Sequence, residues 1–220
     1  MESIKNFNQL IAHLSQGGKR KKVAVVCASD ESTQGAVFMA LKAGIIDAIF
    51  VGCTQQVRSN GEAERYADHI TYVEADDPDD AAAKAVALVR EGKADILMKG
   101  MINTDNLLHA VLNKETGILP KGRVLTHVTV AQLPAYHKLL VFTDAAVIPY
   151  PTQEQRIEQV RYTTALCHAL GIQTPKVALI HCSEKVSQKA FPFTVGYKDI
   201  IDMAAQGEFG PCVVDGPNSP

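Results

Sequence analysis

Lys99 stands directly after the apolar run 94–98 and directly before Gly100. A lysine at the end of a buried strand is costly unless its charge meets an anion or reaches water. Gly100 permits close backbone approach. The helix that Asn103 or Thr104 would cap offers N–H donors and a positive dipole end to the same anion. The alternative is a lysine that snorkels to solvent beside an ordinary cap. Four more polar clusters stand where strands should end. Ser29 to Thr33 is one, with Asp30 or Ser32 as helix cap. In 125–130, alternation puts Thr126 and Val128 on one side and His127 and Thr129 on the other. His127 is then either a polar wall of a cleft or a satisfied core histidine. Thr143-Asp144 closes one strand, and Asp215-Gly216-Pro217 another.

Several chemistries lack their signatures. Gly35 stands alone, so there is no dinucleotide fingerprint, and there is no P-loop or nucleophile elbow. Cys167-His168 and His181-Cys182 are adjacent pairs, not metal-ligand spacings. The residues therefore point to a metal-independent α/β enzyme acting on anionic small molecules.

The elements that must position these clusters alternate. Residues 1–16 read as a helix closed by Gly17-Gly18, and 23–27 as a buried strand. A helix to 43–44, a strand at 45–52, a short helix from Thr54 and a weaker strand at 70–73 follow. The acidic run 76–80 starts a helix to Arg90, which suits the helix dipole. Strand 94–98, a helix to Asn113, and strands 124–133 and 139–143 complete the first half. Thr152 and Gln155 form a capping box for a helix to Leu170. Strand 177–181, a helix over 197–206 and strand 212–214 end the chain. Such alternation predicts a parallel sheet with helices on both faces, whose ligands bind outside the carboxyl ends of strands. Domains are expected at 1–148 and 149–220. The second shows only two clear strands and is expected to be partial, with chain continuing beyond Pro220.

Composition narrows the classes further. The 220 residues are 46% hydrophobic and 21% charged, with a formal net charge of -2. No polybasic arm is present for nucleic acid. No apolar stretch reaches membrane-spanning length, and the start lacks a leader's apolar region. A cytoplasmic protein is the default expectation. Five cysteines, an odd number without paired spacing, predict no disulfide framework. Cys27, Cys182 and Cys212 are expected to be small buried hydrophobes.

Five stretches together resemble the phosphate acetyltransferase and phosphate butyryltransferase family, more closely its butyryl branch. They are Ala94-Asp95-Ile96-Leu97-Met98-Lys99-Gly100, Asn103-Thr104-Asp105-Asn106-Leu107-Leu108, Leu139 to Ala145, Gly171 to Ala178, and Val213 to Pro217. The resemblance implies an α/β/α sandwich, isocitrate/isopropylmalate dehydrogenase-like, with two domains and an interdomain cleft. It implies reversible transfer of a short-chain acyl group between coenzyme A and phosphate through a ternary complex, without a metal. Coenzyme A is then a substrate, not a prosthetic group. The expected partners are coenzyme A or acyl-CoA and inorganic phosphate or acyl phosphate, with no nucleic acid or membrane, in a homo-oligomer. Where the acetyl branch carries a phosphate-contacting arginine, this chain has Leu108 beside His109. The family's closing serine–arginine segment has no counterpart here. On this basis Lys99, Asn103, Thr104 and Asp144 are the expected catalytic residues, and His127, Thr143, Lys189 and Asp215 the expected coenzyme A contacts. Two rival readings are a coenzyme-A-binding or regulatory protein derived from this fold, and a related dehydrogenase-like enzyme.

Overall fold

A computed structural model describes residues 2–219. The chain forms two compact units, one of residues 11–123 and one of residues 2–10 with 124–219. The division thus falls after Arg123, where the sequence places it at 148.

The first helix, α1 (Phe7–Gln16), begins later than the expected residue 1. Asn6 accepts a hydrogen bond from Gln9 N at 2.8 Å, as a cap does. Ile4 ahead of it is buried with Leu139 and Leu170, and its N–H donates to Leu170 O at 2.9 Å.

Unit 11–123 is built on β1 (Lys21–Val26), whose residues Val23 to Val26 are all buried. A strand apolar on both faces belongs in the middle of a covered sheet. After α2 (Glu31–Lys42) comes β2 (Ile46–Gly52), and after the short α3 (Gln55–Arg58) and α4 (Gly61–Arg65) comes β3 (Ile70–Glu74). Helix α5 (Pro78–Arg90), β4 (Ile96–Lys99) and α6 (Thr104–Leu112) complete the unit. The four strands are parallel, in the order β3-β2-β1-β4. Val23 and Val25 face Val37, Phe38 and Leu41 of α2. Ala24 and Val26 face Ala81, Ala82 and Ala85 of α5 and Leu107 of α6. The small alanines let α5 lie close to the sheet. Asp77 caps α5 with Pro78 in its first turn. Lys99 is the last residue of β4, an edge strand on which Ile96 is 46% exposed.

The other unit corrects the strand pattern. The expected strand 124–133 shrinks to β5 (Thr129–Ala131), which pairs with β6 (Leu140–Phe142) antiparallel and outside the parallel sheet. Helix α7 (Gln153–Ala169) carries the Thr152–Gln155 capping box. Strand β7 (Lys176–Ile180), α8 (Val195–Ala205) and β8 (Val213–Asn218) follow. Strands β7 and β8 form a separate parallel pair. Val177, Leu179 and Val214 pack towards α7 and α8, while Ile180 and Val213 are exposed. Asp215 does not follow a strand end as expected but lies inside β8, opposite Ala178. Gly216 next to it has φ 154°, and a Cβ there would meet Leu179 at 2.6 Å. The strand therefore runs on through Gly216 to Asn218 only because that position has no side chain.

The cysteines also differ from expectation. Cys182 is exposed, not buried, while Cys27 and Cys212 are partly covered. It ends β7's loop side beside His181, where neighbouring Phe191 and Phe193 pack on the histidine ring and leave the thiol outside.

Candidate functional site

At the carboxyl ends of β1, β2 and β4 the backbones nearly touch. Cys27 takes φ 55°, and Gly52 (φ 130°) lies over it. Gly100 N donates to Val26 O and Met101 N to Cys27 O, both at 2.8 Å. A Cβ on Gly100 would stand 2.5 Å from Cys27 O. This crossing fixes the chain immediately after Lys99. The Lys99 side chain is exposed and makes only a 3.5 Å contact from Nζ to Gly100 O. No carboxylate pairs with it among the described residues.

Four residues after Lys99, Asn103 caps α6 by accepting from Asp105 N at 3.1 Å. That bond uses its side-chain oxygen and leaves its amide N–H groups free. Thr104 opens the helix, exposed. Leu108 is half-buried on α6 and His109 is exposed. The structure thus gathers Lys99, Asn103 and Thr104 along one strand-to-helix connection. The Ser29–Thr33 cluster resolves as a cap, with Asp30 accepting from Thr33 N at 2.8 Å.

Asp144 belongs to the other unit. Its Oδ2 accepts from Thr126 Oγ1 at 2.6 Å and from His127 N at 2.9 Å. Its Oδ1 accepts from Ala146 N at 2.9 Å and Val147 N at 2.8 Å. Burial alone would raise the pKa of this carboxyl. The bonds from Thr126, Val147, Ala146 and His127 outweigh it and hold the group far below the usual carboxylate range. Asp144 is therefore ionised and committed to four donors, which makes it a poor proton acceptor and a strong organiser of the loop. Thr143 Oγ1 donates to His127 O at 2.6 Å, and His127 Nδ1 lies 3.3 Å from Thr129 Oγ1. His127 is half-buried, between the two alternatives the sequence left open. His127, Thr143 and Asp144 thus form one cluster. Lys189 sits exposed in the turn between Ser187 and Phe191, and the Asp215 carboxylate accepts from Gly216 N at 2.9 Å. Among the described residues no hydrogen bond or ion pair joins either to the His127 cluster.

Sequence reasoning missed two features. Gln159 of α7 is 6% exposed and donates to Thr126 Oγ1 at 3.1 Å. Its sequence signal is a polar residue on the buried face of a helix. Thr163 and Thr164 share that face but satisfy themselves on the helix's own carbonyls. The second is a depression lined by Cys53, Arg58 and Glu74. There Arg58 stacks 3.8 Å over the Tyr72 ring and pairs with Glu74 at 3.6 Å, while Thr54 also bonds Glu74. The charge of Arg58 is already matched, so this depression offers an anion little.

Among the described residues no group of three or more His, Cys, Asp or Glu is placed to hold a metal. Among the same residues no helix is long and apolar enough to cross a membrane.

Residues 69–217 match the family model described as phosphate acetyl/butaryl transferase. The phosphate butyryltransferase of Clostridium acetobutylicum is 39% identical over 97% of this chain and 70% of its own length. The corresponding enzyme of Clostridium beijerinckii is 36% identical over the same shares. Among solved structures, a branched-chain phosphotransacylase from Enterococcus faecalis V583 superposes with a TM-score of 0.72 at 31% identity, over 90% of this chain and 68% of that one. This corrects the expected isocitrate/isopropylmalate dehydrogenase-like fold, because the matching structure is a phosphotransacylase. Alternating strands and helices are common to many α/β folds and do not choose between them.

Proposed function

Because the chain belongs to the phosphate acetyl/butyryl transferase family, we propose that Lys99, Asn103 and Thr104 receive the phosphate of its reaction and that the cluster of His127 and Thr143, organised by Asp144, serves coenzyme A. The reaction is the reversible transfer of a short-chain acyl group, acetyl or butyryl, between coenzyme A and phosphate, and the chain lies closer to the butyryltransferase branch. A phosphate oxygen attacks the thioester carbonyl carbon. The carbon–sulfur bond breaks, coenzyme A leaves as its thiolate, and an acyl phosphate remains. Coenzyme A is consumed as a substrate.

Negative charge is present on the phosphate from the start and grows on the carbonyl oxygen. A cation and N–H donors held ready near both lower the barrier without rearranging. The observation that carries the assignment is Lys99, a lysine without a carboxylate partner, fixed by the Gly100 crossing just ahead of the first turn of α6. The free amide of Asn103 and the Thr104 hydroxyl add donors on the same connection. Lys189 and Asp215 remain proposed coenzyme contacts of their own segments, supported by exposure and by position in the loop after β7 and within β8.

Thiol release from acetyl-CoA, propionyl-CoA and butyryl-CoA, each with and without phosphate, tests this reading. Phosphate-dependent release is expected, with butyryl-CoA turned over at least as well as acetyl-CoA. Release that ignores phosphate would mark a thioesterase and overturn it.

A further inference from the structure

The Asp144 loop is held by more than its own residues. Gln159 Nε2 can only donate, so the Thr126 oxygen must accept from it at 3.1 Å. The ionised Asp144 can only accept, so the single Thr126 hydroxyl proton goes to its Oδ2 at 2.6 Å. Thr143 spends its own proton on His127 O at 2.6 Å. The 3.3 Å approach of the Thr126 and Thr143 oxygens therefore has no proton left to share. Every hydrogen in the chain is assigned, and its direction is fixed. It runs from the Gln159 amide to the Thr126 hydroxyl and on to the Asp144 carboxylate, which also accepts from the backbone N–H groups of His127, Ala146 and Val147.

We propose that Thr126 and Gln159 are positioning residues for acyl transfer, tying the loop that carries His127 and Thr143 to the rigid helix α7. This rests on the reading that the His127–Thr143 cluster serves coenzyme A. The tie is built for direction as well as strength. The buried Gln159 has no comparable partner on its own helix, unlike Thr163 and Thr164. Its interaction with Thr126 crosses 33 residues of sequence. Without the Thr126 proton, Asp144 Oδ2 keeps only His127 N, and the segment from 126 to 128 loses its link to α7. Displacement of a binding group by about 1 Å is enough to cost on the order of 100-fold in turnover.

The test compares Thr126→Val, which keeps the shape and loses the hydroxyl, with Thr126→Ser, which keeps the hydroxyl. Gln159→Met replaces the amide with an apolar chain of similar length. The readouts are kcat and KM for each substrate, with a thermal melt of each variant. Thr126→Val and Gln159→Met are expected to lose about 10- to 100-fold in kcat/KM for coenzyme A or its ester, while KM for phosphate changes less than about twofold. Thr126→Ser is expected to stay within about threefold of the parent, since only the hydroxyl is required. Parent-like kinetics in both Thr126→Val and Gln159→Met would overturn the proposal, as would a loss in Thr126→Ser equal to that in Thr126→Val. Should Thr126→Val fail to fold, Gln159→Met decides. Asp144→Asn separates the two levels. Full activity in Asp144→Asn would remove this cluster from acyl transfer altogether. An impaired Asp144→Asn beside unimpaired Thr126 and Gln159 variants would leave the cluster in place and remove only the tie.

Discussion

Gly100 and Cys27 are packed backbone to backbone: a Cβ on Gly100 would lie 2.5 Å from the Cys27 carbonyl oxygen and 2.6 Å from that of Val26. No side chain fits, and the atoms in the way are main-chain atoms of the central strand, which cannot rotate aside. Gly100→Ala is therefore expected to destabilise the 11–123 unit by about 3 kcal/mol, the upper end of ordinary overpacking. Urea unfolding of the variant beside the parent measures it, and equal midpoints would show that the crossing can relax.

Lys99 should separate from its neighbour in the same assays. Its side chain is exposed and unpaired, so Lys99→Met is expected to leave the melting temperature within a degree or two, since changes at such surface sites are small. Turnover is expected to fall by about 10²–10³, as for loss of one preorganised donor. Unchanged turnover, with unchanged dependence on phosphate, would make Lys99 a surface residue only.

Asp144 predicts a pH dependence whose sign follows from its hydrogen bonds. The carboxyl titrates lower in the folded protein than the ordinary 3.8. Its contribution to stability is therefore complete above 3.8 and lost as pH falls through the depressed folded value. The parent should be more stable than Asp144→Asn at neutral pH, and the gap should narrow as pH drops below 3.8. Melting curves of both proteins from pH 7 downward read this directly. A gap that stays constant to the acid limit would mean the bonds do not favour the charged form.

Thiol reactivity should divide the five cysteines. Cys53 and Cys182 are exposed. Burial pushes the thiols of Cys27, Cys167 and Cys212 up, away from the reactive thiolate. A colorimetric disulfide reagent at neutral pH is expected to titrate two thiols quickly in the native protein and the remaining three only slowly or after denaturation. Mapping the first modified sites by peptide mass identifies them. Early labelling of Cys27 would contradict the covered strand end described for it.

The parts legible in the sequence were those governed by local rules. The apolar run in β1, the Asp77-Pro78 start of α5 and the Thr152–Gln155 capping box each need only a few adjacent residues. Lys99 and Asp144 were found because a charged residue after an apolar run is conspicuous. The 124–133 segment misled because threonine and valine suit a strand, whereas here Thr126 and His127 bond Asp144 and not a neighbouring strand. The antiparallel pairing of β5 and β6 was in principle readable. The linker 132–139 is too short for a parallel crossover, which needs about a dozen residues. The bond between Gln159 and Thr126 was not readable, because no local pattern couples positions that far apart. Neither was the attachment of residues 2–10 to the later unit, which depends on where Leu139 and Leu170 end up.

That attachment has a consequence for synthesis on the ribosome. Ile4 packs on Leu139 and Leu170 and donates its N–H to Leu170 O, so the docking place of its segment is incomplete until Leu170 has been made. At ~5–20 residues per second the wait is on the order of 10–30 s. Residues 11–123 hold their own central sheet and can complete it in that interval. Ile4, Phe7 and Leu10 meanwhile remain in water as an uncovered apolar segment. The Ile4 segment is thus made well before its partners and is among the last to find its place, and a nascent-chain binder such as a chaperone would meet it in that interval.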